Sequence, residues 1–346
     1  MNYQLLGRSG LRVSELCLGT MTFGEEWGWG ANRDESRAMF DAFVEAGGNF
    51  IDTADGYTGG TSEKMVGEFI GAERARFVVA TKFSFNQRRG DPNAGGNHRK
   101  NMTQALEGSL KRLGTDYIDL YWMHAWDEFT PIEEVMRAFD DLVRAGKVLY
   151  IGISDAPAWW IARASTLAEG RGWTAFAGLQ IEYNLIERTP ERELLPMAAE
   201  LGLAVTPWSP LAGGWLTGKY AGKAKAERRL DKTPEFARPT ERNHAIASTT
   251  VKLARAAGKS PAQVALNWLR ARHTIPILGA RKREQLQDNL NCLKWSLNAR
   301  QLGQLDEVSR IEPGFPTDFL QRPFVRDFLH GGLYERIRNG SAHPGS

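Results

Sequence analysis

The stretch Gly48-Asn49-Phe50-Ile51-Asp52-Thr53-Ala54-Asp55-Gly56-Tyr57 decides how this chain reads. It opens as a short apolar strand at Phe50 and Ile51. It then passes into polar, glycine-containing chain that cannot continue the strand, leaving a carboxylate (Asp52) and a phenol (Tyr57) at the strand's exit. Two later runs end alike: Phe77-Val78-Val79-Ala80-Thr81-Lys82 on an amine and Tyr117-Ile118-Asp119-Leu120-Tyr121-Trp122-Met123-His124 on an imidazole. Apolar strands that each deliver a titratable residue at the C-terminal end describe a parallel barrel with chemistry at that rim.

Outward from these three runs the pattern repeats. Strands are predicted at Leu16–Met21, Val148–Ser154, Phe176–Gln180, Ala204–Trp208 and Ile275–Gly279. Helical spacing between them marks Arg33–Gly47 (capped by Asn32 or Asp34), Thr61–Ile70 (capped by Thr61 or Ser62), Met102–Leu113, Pro131–Ala145, Pro157–Ala168, Glu191–Leu201, Thr250–Ala257, Pro261–Arg270 and Arg283–Leu293. A further helix is predicted at Leu297–Ile311. Eight strand–helix alternations in one run imply right-handed parallel crossovers, hence an α/β fold of the (β/α)8 TIM-barrel type. The expected organisation is a single domain over residues 1–346. An N-terminal β-hairpin (1–15) caps the barrel bottom, the barrel and its helices span 16–312, and a C-terminal tail (313–346) ends in disordered residues. The tail's aromatic residues read either as a strap on the outside or as a cover for the rim. The polar run Phe83–Arg99 is long enough to be a functional rim loop.

Composition excludes several classes. With 346 residues, 42% hydrophobic and 25% charged, the chain is of ordinary globular type. A net charge of +3 is too weak to argue for nucleic acid. The two cysteines, Cys17 and Cys292, build no disulfide framework and fit a reducing cytoplasm. Met1–Gln4 lacks the basic and apolar regions of a signal peptide, and no apolar run approaches the roughly 20 residues needed to span a bilayer. The expected protein is therefore cytoplasmic, without membrane or nucleic-acid partners, and a monomer or weak homo-oligomer. No His/Cys/Asp cluster has zinc spacing. Gly170–Ala175 fits a loose dinucleotide pattern but lies between a helix and a strand, the reverse of the required order. Gly19–Gly24 has phosphate-loop spacing with Glu25 where the lysine belongs.

Asp52, Tyr57, Lys82 and His124 together make a proton-transfer site. A free phenol has a pKa of about 10, too high for exchange at neutral pH, and an adjacent buried ammonium lowers it. Lys82 is the expected ammonium. Asp52 would keep it charged, and His124 would hydrogen-bond a substrate oxygen or the phenol. These residues carry a resemblance. Asp52–Tyr57, Ala80-Thr81-Lys82 and the Asp119–His124 strand resemble the signature of the aldo-keto reductases, in appearance nearest to bacterial aryl-alcohol-dehydrogenase-like and channel-β-subunit-like branches.

The resemblance implies an oxidoreductase in which NADPH delivers hydride to an aldehyde or ketone, a small-molecule carbonyl substrate, while Tyr57 gives the proton. It also implies the cofactor positions. Gly19, Thr20 and Met21 lie under the nicotinamide ribose, with Asp52 also among the cofactor-binding residues, Ser154, Asp155 and Gln180 at the carboxamide, and Trp208 on the nicotinamide face. Ser209, Pro210, Leu211, Gly213 and Lys219 wrap the pyrophosphate, and Gly279, Arg281, Gln285 and Asn289 take the adenosine phosphate. Asp155 departs from the asparagine common in the family. Arg281, just before a helix N-terminus, can grip a 2′-phosphate and favour NADP over NAD. Trp27, Trp29, Phe83, Phe85, Trp126 and Trp159 are expected around an aromatic substrate pocket, whereas the arginines of the 83–100 loop would admit anionic substrates. Two alternatives stand beside this reading: an NADP(H)-sensing regulatory subunit with slow or vestigial reductase activity, and a barrel aldolase or isomerase using Lys82 as a Schiff base.

Overall fold

The computed structural model describes residues 1–220 and 238–337, so the expected disorder at the extreme C-terminus lies outside the described residues. β1 (Tyr3–Leu5) and β2 (Arg12–Ser14) form the antiparallel hairpin. β3 (Cys17–Gly19), β4 (Phe50–Asp52), β5 (Val78–Phe83), β6 (Ile118–Met123), β7 (Val148–Ser154), β8 (Phe176–Glu182), β9 (Ala204–Trp208) and β10 (Ile277–Leu278) form one parallel eight-stranded sheet in the order β10-β3-β4-β5-β6-β7-β8-β9. The two ends of this order meet where Ile275 N donates to Val205 O at 2.9 Å, so the sheet is a nearly closed barrel. Around it run α1 (Arg33–Glu45), α2 (Thr61–Ile70), α3 (Arg99–Leu113), α4 (Ile132–Arg144), α5 (Ala158–Arg171), α6 (Leu194–Leu201), α7 (Glu241–Ala257), α8 (Pro261–Arg270), α9 (Arg283–Leu290) and α10 (Ala299–Val308); α11 (Thr317–Leu320) and α12 (Pro323–His330) belong to the tail. This is the expected (β/α)8 barrel.

Strand parity divides the core in two. Phe50, Val78, Ala80, Leu120 and Trp122 point into the barrel, where Leu6 and Val13 of the hairpin join them and close the floor. Ile51, Val79, Phe83, Tyr121 and Met123 point outward against the helices. Trp122 fills the middle of the barrel because two neighbouring strands carry no side chain there. A Cβ on Gly152 would come within 2.2 Å of its ring, and one on Gly178 within 3.0 Å.

Some helix boundaries differ from expectation. Asn32 caps α1, its side chain accepting from Glu35 N. The cap of α2 is Gly60, not Thr61 or Ser62; the Ser62 hydroxyl instead turns inward and donates to Thr20 O at 2.7 Å. α7 starts at Glu241 behind a Thr240 cap, nine residues before the expected Thr250, since the polar first turns give little apolar periodicity to read. Among the described residues no helix is long and apolar enough to cross a membrane.

Candidate active site

Four side chains converge at the C-terminal rim. Asp52 ends β4, opposite Ala80 of β5 in register. Two residues further along the same inward face of β5 comes Lys82, which has no solvent exposure. Lys82 Nζ forms an ion pair with Asp52 and donates to Thr53 O at 2.8 Å and to Tyr57 Oη at 3.0 Å. Tyr57 stands on the short turn Tyr57–Gly60. His124 follows Met123 of β6, and its ring meets the Tyr57 ring edge-on at 5.8 Å.

The electrostatics follow from burial. Burial works against charge on Lys82, yet the Asp52 carboxylate and the Tyr57 oxygen hold its ammonium above the ordinary lysine value. Burial also dominates at Tyr57: the phenol lies above its ordinary value, with Lys82 pulling it back and Asp52 adding to the rise. The expected net depression of the phenol is therefore reversed. Tyr57 keeps its proton at neutral pH, the form a general acid needs. Burial, followed by the charge of Lys82, drives His124 well below the usual imidazole range, so it is neutral, and its Nδ1 is buried without a partner.

These groups sit at one end of a cavity of about 1000 Å³. Its wall includes Gly19, Met21, Asp52, Tyr57, His124, Ser154, Asp155, Gln180, Trp208, Ser209, Pro210, Leu211, Gly213 and Lys219, and continues to Gly279, Arg281, Gln285 and Asn289. Lys82 lies behind that wall. Gln180, expected at a carboxamide, donates its amide to Asp52 Oδ1 at 3.0 Å and so braces the carboxylate that holds Lys82. Asp155 accepts from the indole of Trp208. Thr20 is off the wall, its hydroxyl donating to Asp52 O at 3.0 Å beneath the site.

The aromatic expectation divides. Trp27 and Phe85 line the cavity, Trp27 with its ring 6.3 Å from Tyr57 and Phe85 at 4.5 Å from His124. Trp27 rides a loop closed by Gly24 N to Ala31 O at 2.9 Å and Ala31 N to Thr22 O at 2.7 Å, tight enough that a Cβ on Gly30 would overlap Gly24 O. Trp29 backs Trp27 at 5.5 Å, off the wall. Phe83 is wholly buried on the outer side of the barrel, stacked on Tyr121, because a strand that points Lys82 inward must point its neighbour outward. Trp126 and Trp159 pair with each other away from the cavity. The loop arginine Arg88 pairs with Asp91, and neither it nor Arg89 reaches the wall. The described part of the tail, residues 313–337, does not line it either.

Sequence reasoning missed Asn86 and Gln87 on the wall, although the loop that carries them was singled out. It also missed Glu182, which Arg238 meets at 2.9 Å, and Asp55. The Asp55 carboxyl is buried off the wall; burial and nearby Glu63, against Arg112, push it up to about 7.

The residues present fit a dinucleotide. One cavity joins the Tyr57 phenol to the cationic side chains Arg281 and Lys219, with Glu284 and Asp288 beside them. Among the described residues no group of His, Cys, Asp and Glu is placed to hold a metal ion.

Comparison with known proteins shows the family. The aldo/keto reductase family model matches residues 15–310. The norsolorinic acid reductase stcV of Emericella nidulans is 38% identical over 324 residues, covering 90% of this chain and 82% of that protein. The aryl-alcohol dehydrogenase (NADP(+)) of Phanerodontia chrysosporium is 38% identical over 339 residues, covering 90% of this chain and 87% of the relative. The uncharacterized oxidoreductase YrpG of Bacillus subtilis is 40% identical over 324 residues, covering 89% and 96%.

Proposed function

The chain belongs to the aldo/keto reductase family, and from that membership we propose that it is an NADPH-dependent oxidoreductase interconverting aryl aldehydes or ketones and their alcohols. The observation that carries the reading is the Lys82–Tyr57 contact at the end of a cavity walled by Trp27, Phe85 and His124. Relatives named as an aryl-alcohol dehydrogenase and a norsolorinic acid reductase support the same substrate class.

In this proposal the cofactor, when bound, supplies the hydride to the carbonyl carbon. Ser154, Trp208 and the Ser209–Gly213 turn would hold its nicotinamide half, with Lys219, Arg281, Gln285 and Asn289 on the phosphates. Tyr57 Oη gives its proton to the carbonyl oxygen, so that hydride and proton together reduce C=O to the alcohol. The phenolate left behind is stabilised by Lys82 Nζ until water reprotonates it. Asp52, braced by Gln180, keeps that ammonium charged and aimed. Neutral His124 orients the carbonyl oxygen without adding a charge that would compete with Tyr57. Trp27 and Phe85 cover the aryl group and exclude water.

The test is the oxidation of NADPH and of NADH with an aryl aldehyde, by the wild-type protein and by Tyr57→Phe. Turnover with NADPH, lost by about 100-fold or more in the variant while NADPH still binds, is the expected result. Wild-type turnover in Tyr57→Phe would remove the proton-donor role.

A further inference from the structure

Beyond Glu312 the chain forms α11, α12 and a last turn at Tyr334–Arg336, and these elements touch one another. Among the described residues, nine of the sixteen large apolar side chains left exposed fall between positions 315 and 337. Phe315 and Phe328 are each 85% exposed and Leu329 is 62% exposed. On α12 only Val325 is buried. Phe315, Phe319 and Phe324 form a continuous row with centroids 6.3 and 6.2 Å apart. Single apolar residues on a surface are normal, but a contiguous group is not.

The size of the face indicates what covers it. With about 200 Å² for a whole aromatic side chain, the four phenylalanines at 40–85% exposure still present on the order of 500 Å². That alone matches the largest patch on an ordinary monomer, roughly 300–600 Å². The five other residues enlarge it towards the roughly 800 Å² that each partner contributes to a standard interface. The charges on the same segment are balanced: Asp318, Asp327 and Glu335 against Arg322, Arg326 and Arg336. A membrane-seeking helix would carry a basic polar face, whereas this segment carries acids and arginines in equal number, as pairing of acid with base between identical copies would use. Self-complementarity is what a two-fold contact requires, since the same patch must serve both sides.

We propose that the C-terminal face formed by α11, α12 and the turn after them is the contact of a two-fold homodimer, the tail of one copy packing on the tail of a second. The catalytic cavity takes no part in it, so the inference stands apart from the proposed reaction.

The experiment is sedimentation velocity on the full chain, with and without Phe315→Asp combined with Phe328→Asp. Interfaces of this size hold at about micromolar concentration or tighter. The wild-type protein is expected to sediment at twice its 38.6 kDa mass well above that concentration, and the variant as a monomer. Both side chains are exposed in a single copy, so the variant should keep its far-ultraviolet dichroism and melting temperature. A shorter substitution, Phe328→Ser, serves as the second variant should the pair fail to fold. A wild-type monomer at every concentration overturns the proposal. So does a dimer that persists in the folded variants, since its interface then lies elsewhere. A monomer that floats with phosphatidylserine/phosphatidylcholine vesicles would also overturn it, assigning the face to a lipid surface.

Discussion

The indole Nε1 of Trp208 donates a hydrogen bond to Asp155 Oδ1 at 3.1 Å, linking the ends of β9 and β7 across β8. Asp155 adopts a left-handed backbone, φ 43°, and lines the cavity wall. The bond restrains the Trp208 ring on the cavity wall, at the position proposed above for the nicotinamide half of the cofactor.

Asp155→Asn keeps an acceptor for the indole, whereas Asp155→Leu removes it. A hydrogen bond to a charged group contributes about 1.5–3 kcal/mol. Asp155→Leu should therefore lower kcat/KM by roughly tenfold or more, with Asp155→Asn closer to wild type. Steady-state kinetics on the two variants checks this; equal losses would show that the charge matters and the bond does not.

Lys82→Met leaves the Asp52 carboxylate buried with only Gln180 and no counter-charge. Breaking a buried pair in this way costs about 3–5 kcal/mol. The variant should unfold at lower denaturant in a urea titration as well as lose activity. Lys82→Met with Asp52→Asn should recover much of the stability and none of the activity.

The pH dependence of stability should report Asp55. Its folded-state pKa of about 7 lies above the unfolded value of about 3.9. The native state therefore binds the extra proton, and the stability this gives is present below about pH 4 and is lost as pH rises through about 7. Asp55→Asn, which cannot titrate, should show a flatter melting temperature across that window in calorimetry.

Gly152→Ala places a methyl group into the Trp122 ring. Overpacking of this kind costs about 1–3 kcal/mol, measured by chemical denaturation. Combining it with Trp122→Phe should cost less than the two separate losses added together, because the smaller ring vacates the space. Strict additivity would mean that the strand moves instead of the ring.

Arg281→Ala should raise KM for NADPH by roughly 10- to 100-fold, as expected for a lost charge-assisted contact. KM for NADH should change little. An equal effect on both cofactors would place Arg281 at a pyrophosphate or at no phosphate at all.

Much of the catalytic end was legible because strand parity is a local property. Phe50 and Asp52, Ala80 and Lys82, Trp122 and His124 are pairs two residues apart, so each apolar member facing into the barrel carries its polar partner to the rim on the same face. The same rule places Phe83 outside, next to inward Lys82, and its assignment to the substrate pocket ignored that rule. Trp29 and Trp126 failed for another reason: they stand on loops, where no backbone period says which way a ring turns, while Trp159 sits in the first turn of α5 with its ring against Trp126 and away from the cavity. The start of α7 was missed because its first turns are too polar for an apolar stripe.

The amino-acid sequence by itself determined the eight strand–helix alternations, their parallel closure and the four polar groups sent to one rim, since all of these follow from hydrophobic period and backbone alternation along the chain. The tertiary structure alone decided that Gln180, 128 residues from Asp52, braces it, that Trp208 is held by Asp155, and that burial outweighs the Lys82 ammonium at the Tyr57 phenol. Those outcomes depend on which strands closure brings side by side and how much water it expels. Distances and desolvation across a barrel are set by the whole sheet, and no local stretch encodes them.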